Sequence, residues 1–81
     1  MTTLSPAARA LLLAPGPLAR TAARAARAPE ERWMLCQPRE VRRSYVEDVI
    51  DRPEDPDARE RWMLHQADAV RLSYVRHVLD G

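Results

Sequence analysis

ERWMLCQPREVRRSYVEDVID, residues 31–51, returns without a gap as ERWMLHQADAVRLSYVRHVLD, residues 60–80. Thirteen of the 21 positions are identical at this offset of 29 residues, far more than chance allows, so the chain carries a duplicated unit. Both copies space their apolar residues as helices do. On a wheel of about 100° per residue, Met34, Pro38, Val41, Tyr45 and Val49 share one arc, with Leu35 and Val46 on its flank. Met63, Ala67, Val70, Tyr74 and Val78 repeat that arc, flanked by Leu64 and Val75. The Met, Val and Tyr positions of both stripes are the expected core.

Between the copies, Arg52-Pro53-Glu54-Asp55-Pro56-Asp57 cannot continue a helix and forms a short, solvated connector, with Asp57 placed to cap the helix of the second copy. Pro29, Glu30 and Glu31 open the first copy as a helix N-terminus prefers. The expected architecture is therefore all-α: a tandem 29-residue repeat forming an antiparallel helical hairpin, able to complete a four-helix bundle as a dimer. Its parts are an N-terminal arm over 1–28, repeat one over 29–51, the connector over 52–57 and repeat two over 58–81. Pro38 threatens the assumption of one continuous helix per copy, because proline lacks a donor and disfavours helical geometry at the preceding residue. The other outcome is a corner near Gln37 and Gln66 that splits each copy into two helices.

Residues 1–28 differ in kind, with ten Ala, four Arg and no acid. Ser5 and Pro6 read as N-cap and first turn of a helix reaching about Ala14, Pro15-Gly16-Pro17 as a break, and Leu18 to Ala28 as a second, Ala-rich helix with Arg20, Arg24 and Arg27 on one face. The arm carries +4 and the remaining residues, with nine Arg against twelve acids, −3, which recovers the net +1. Such a balance gives no global argument for nucleic acid or an anionic membrane. All 13 basic residues are Arg, and Lys, Asn and Phe are missing, which points to a G+C-rich, bacterial coding sequence. With Cys36 alone no intrachain disulfide forms, and a reducing cytoplasm is the expected setting. The longest apolar run, Ala10 to Ala14, is too short for a membrane span.

Beside the core stripe runs a second line, Trp33, Gln37, Ser44 and Asp48, matched by Trp62, Gln66, Ser73 and His77. An indole, an amide and a hydroxyl kept in register twice point to a wide contact face, and Trp dominates such interfaces. Trp33, Gln37, Arg42, Ser44, Trp62, Gln66, Arg71 and Ser73 are accordingly the expected partner-binding residues. Arg42 and Arg71 lie at the edge of the apolar arc, where a guanidinium must snorkel or meet a carboxylate, with Glu31 or Glu60 on the opposite helix as candidates.

Chemistry has thin material. His65 matches Cys36 in the repeat and His77 stands alone, without the dense ligand spacing a metal site needs, and Gly occurs only at 16 and 81, which leaves no phosphate-cradling loop. No catalytic residue, cofactor, metal or small-molecule substrate is expected. Two helices that face only each other cannot bury enough apolar area to offset the entropy of ordering them, so the arm, a second copy of the chain or another protein must cover the remainder. The expected function is a non-catalytic protein–protein interaction module, either a homo-oligomer or an accessory subunit docking on a larger partner. The competing reading is a DNA-associated regulator that uses the basic N-terminal arm and a helix-turn-helix-like repeat carrying the Arg39, Arg42 and Arg43 cluster. It is weakened because copy two puts Asp68 and Leu72 where copy one has Arg39 and Arg43.

Overall fold

The computed structural model describes residues 6–80, which fold into short helices. They are α1 (Pro6–Leu12), α2 (Gly16–Ala25), α3 (Pro29–Leu35), α4 (Arg39–Tyr45), α5 (Ala58–Leu64) and α6 (Asp68–Tyr74). The described residues thus form an all-α unit of six helices, with no strand. α4 continues into a π-helical turn over Val46–Ile50, closed by Asp51 N–H donating to the Val46 carbonyl at 2.9 Å, and α6 into another over Val75–Leu79, closed by Asp80 N–H donating to the Val75 carbonyl at 2.8 Å. The radius of gyration is 12.0 Å, close to the ~12 Å of a compact chain of this length. None of the described helices is long and apolar enough to cross a membrane.

Each copy turns a corner and is not one continuous rod. α3 stops at Leu35, and the Gln37 and Gln66 N–H groups bond back to the carbonyls of Met34 and Met63, both at 3.1 Å. The amide side chains tie the same turns: Gln37 Nε2 donates to the Trp33 carbonyl and Gln66 Nε2 to the Trp62 carbonyl, both at 3.0 Å. Pro38 then stands extended at φ −57°, ψ 152°, and its carbonyl starts α4 by accepting from Arg42 N–H. Ala67 takes the same geometry, φ −62°, ψ 154°, without a proline ring to impose it. Proline is therefore compatible with the corner but does not cause it. The expected hairpin of two long antiparallel helices, and the four-helix bundle built from a pair of such hairpins, are replaced by four short helices per tandem, α3 to α6.

The arm folds onto the first copy. α1 packs on α3, α4 and the π turn that extends α4, while α2 packs on α3. α2 can approach closely because Ala19 and Ala23 lie on its buried side. Arg20, Arg24 and Arg27 all remain exposed. The first helix ends at Leu12, two residues sooner than Ala14, and the second begins at Gly16 within the proline cluster, with Pro15 extended before it. The expected cap at Ser5 lies outside the described residues. Asp57 contributes no side-chain cap to α5; Asp55 organises that entry instead, accepting from Asp57 N–H at 3.0 Å and from Arg61 Nη1 at 2.7 Å. Those two donors hold the Asp55 carboxyl below the usual carboxylate range.

The core gathers Leu12, Ala19, Ala23, Trp33, Met34, Leu35, Val46 and Trp62. Half-buried Val41, Tyr45, Val49, Met63, Val70, Tyr74 and Val78 pack against it.

Candidate functional site

Trp33 and Trp62 meet each other's copy in the same way. The Trp33 indole Nε1 donates to Ser73 Oγ at 2.9 Å, and its ring stands edge-on to Tyr74 with centroids 5.1 Å apart. The Trp62 indole Nε1 donates to Ser44 Oγ at 3.0 Å, and its ring stands edge-on to Tyr45, again at 5.1 Å. Each copy thus lends an indole to the other and receives one, the exchange pattern of an isologous interface built within one chain. Glu30 and Arg59 form an ion pair across the same junction, and they are the same repeat position, 29 residues apart. Burial pushes the Tyr45 hydroxyl upward from its ordinary pKa, with a smaller contribution from Tyr74.

This geometry corrects the expectation of an outward Trp, Gln and Ser face. The two tryptophans are only 5% and 4% exposed, sealed between the copies. Gln37 and Gln66 tie corners, and Ser44 and Ser73 serve as indole acceptors. Each indole N–H needs an acceptor once it is buried, and a hydroxyl from the other copy supplies it. The doubled donor and acceptor was a readable signal of self-complementarity.

Arg42 and Arg71, identical in sequence, have opposite fates. Arg42 is fully buried, and its guanidinium meets no carboxylate. Nη1 donates to the carbonyls of Leu12 at 2.9 Å and Ala14 at 2.6 Å, Nε donates to the Gln37 carbonyl at 3.0 Å, and Nη2 has no partner. The cation sits over the free carbonyls at the end of α1, where the helix dipole favours it. Burial, followed by the charges of Arg39 and Arg20, lowers its pKa. Arg9 fastens the other side of α1 through a bidentate pair to Asp51, Nε to Oδ1 at 2.9 Å and Nη2 to Oδ2 at 2.8 Å. That pair holds the Asp51 carboxyl below its ordinary pKa. Arg71 is exposed and pairs with Asp68, three residues away on its own helix. The ion pairs expected with Glu31 or Glu60 do not form in either copy; carbonyls and Asp68 take their place.

The difference extends to the whole outer face. Leu35 is 3% exposed but its twin Leu64 65%; Val46 is 0% exposed but Val75 38%. Half-buried Ile50 corresponds to Leu79, at 66% exposure. Leu72, in the position of Arg43, adds another exposed leucine. Copy one is covered by α1 and α2, and among the described residues copy two leaves the matching positions exposed. A depression lined by Asp68, Arg71, Leu72 and Val75 lies on that surface, and a separate groove lined by Met63, Leu64, Tyr74, Val78 and Leu79 runs on to Glu30, Met34 and Tyr45 of copy one.

The basic cluster of copy one is engaged locally. Arg39 Nε donates to the Leu13 carbonyl at 3.1 Å, Arg42 is buried, and Arg43 pairs with Glu47 at 3.0 Å. Cys36 and His65 are exposed corner residues of different copies, and no group of three or more His, Cys, Asp or Glu side chains gathers among the described residues. No protein-family model matches the chain, and no match to it was found among curated proteins or solved structures.

Proposed function

We propose that the protein is a non-catalytic, cytoplasmic interaction module, acting as a homodimer or as a small accessory subunit that docks on a larger protein. The observation that carries this reading is the exposed face of copy two, where Leu64, Leu72, Val75 and Leu79 stand in water. Four large apolar side chains exposed on the helices of one copy support a contact site there. The docking residues are Leu64, Arg71, Leu72, Val75 and Leu79, and the tryptophans serve by holding the two copies together.

The nucleic-acid reading draws less support. Arg39, Arg42 and Arg43 are held by carbonyls and Glu47, so among the described residues the exposed arginines outside ion pairs are scattered, with Arg20, Arg24 and Arg27 on the arm and Arg52 and Arg76 elsewhere. The test is light scattering on the wild type and on the double variant Leu64→Glu, Leu79→Glu, beside capture of native binding proteins with both. A mass or a captured partner lost in the variant is the expected result. A wild-type monomer with no partner that depends on these residues refutes the proposal.

A further inference from the structure

The two copies offer the same outer face, and one of them shows what sits on it. On copy one, Leu12 of α1 lines a depression with Glu30, Glu31, Met34 and Tyr45, and Arg59 of copy two closes its edge. The residues 29 positions on, Arg59, Glu60, Met63 and Tyr74, line a groove that copy two shares with Glu30, Met34 and Tyr45 of copy one and that no residue of α1 lines. The fasteners recur as well. Arg42, which holds the carbonyls at the end of α1, corresponds to Arg71, and Asp51, which holds Arg9, corresponds to Asp80. Leu35, Val46 and Ile50 beneath the arm correspond to Leu64, Val75 and Leu79.

Resting on the interaction reading above, we infer that copy two's outer face is an acceptor groove for a short helix of another protein that presents what α1 presents to copy one. That helix carries a leucine for the groove at Met63 and Tyr74, an arginine one turn earlier for Asp80, and unpaired C-terminal carbonyls for Arg71. The spacing copies α1, in which Arg9 precedes Leu12 by three residues and the carbonyls used are those of Leu12 and Ala14. Two substitutions alter the separate depression lined by Asp68, Arg71, Leu72 and Val75. Asp68 replaces Arg39 and removes the donor to the Leu13 carbonyl, while Leu72 replaces Arg43 and widens the apolar surface, so the favoured helix is more apolar beyond its leucine than α1 is. The chain's own arm cannot satisfy both faces. Each chain has one arm and two faces, so exchange of arms between copies of the chain leaves as many faces bare as before.

The probe is a synthetic peptide of residues 6–28, titrated into the full-length protein and followed by calorimetry. Saturable binding of one peptide per chain is expected, weakened at least tenfold by Arg71→Ala or Leu64→Glu in the protein and by Arg9→Ala in the peptide. Arg43→Ala, an exposed change on copy one, leaves binding unchanged and serves as the control for general effects. Circular dichroism confirms that each variant keeps its helices. No saturable binding overturns the inference, as does binding undiminished in Leu64→Glu, which would place the peptide on copy one in exchange for α1. If the peptide fails but Leu64→Glu dissociates a dimer seen by light scattering, the acceptor-helix inference falls and the interaction reading stands. A monomer that binds neither peptide nor any Leu64-dependent partner overturns both.

Discussion

Replacing Arg42 by Ala and, separately, Arg71 by Ala sets one chemical change in two environments of the same molecule. At position 42 the change deletes three hydrogen bonds from a cation to carbonyls at 2.6–3.0 Å, stranding those of Leu12 and Ala14 at the end of α1 and that of Gln37 at the corner of copy one. A net ~1.5 kcal/mol for each charge-assisted bond gives roughly 4–5 kcal/mol. Relief from burying a guanidinium with one unpartnered nitrogen returns part of that, leaving a loss of about 3 kcal/mol. For 81 residues at ~0.05–0.15 kcal/mol each, total stability is roughly 4–12 kcal/mol, so the loss is a quarter of the total or more. Arg71→Ala removes an exposed pair within one helix and costs at most about 0.5 kcal/mol. Urea unfolding followed by tryptophan fluorescence measures both, since both indoles lie at the junction of the copies. Arg42→Met keeps the apolar stem and should fall between, near 2 kcal/mol. If the Arg42→Ala and Arg71→Ala losses lie within about 1 kcal/mol of each other, the carbonyl clamp does not hold the arm.

Ser44→Ala and Ser73→Ala each leave a buried indole N–H without its acceptor and should each cost about 1–2 kcal/mol by urea denaturation, with similar values because the two contacts are reciprocal. Ala67→Pro should change stability by less than about 1 kcal/mol, because φ is already −62° there; a helix interior would lose ~3 kcal/mol in the same experiment. Ala19→Leu should destabilise by about 1–3 kcal/mol and loosen α2 from α3, read as faster amide exchange in residues 16–25. The Arg9–Asp51 pair lowers the folded carboxyl's pKa, so its stabilisation is full above the unfolded value near 4 and is lost as pH falls through the lower folded value. Asp51→Asn should therefore speed exchange in α1 at neutral pH and remove that part of its acid dependence.

How far the fold was legible depends on whether its cause is local. The spacing of Met34, Val41, Tyr45 and Val49 and of their twins marks an apolar helical face, and those side chains lie in or against the core. Pro53 and Pro56 mark the connector for reasons of backbone geometry alone. The corner was half legible, since Pro38 announced it in one copy while Ala67 adopts the same extended geometry silently. The tryptophan line is plain in the sequence, but the outward placement expected of it is wrong, because a wheel cannot tell a neighbour in the same chain from one in another. The contrast between Arg42 and Arg71 was only half legible: Asp68, which pairs with Arg71, stands where copy one has Arg39, but the burial of Arg42 comes from the docking of α1, about thirty residues away in sequence.

The Glu30–Arg59 pair constrains how the tandem can be rebuilt. A symmetric assembly of two identical halves brings that position against itself, so two first halves would oppose glutamate to glutamate and two second halves arginine to arginine. Opposite charges can meet there only in a chain whose halves differ. The junction therefore prefers the heterogeneous pairing, and splitting the protein at its connector should yield fragments that seek each other before they seek their own kind.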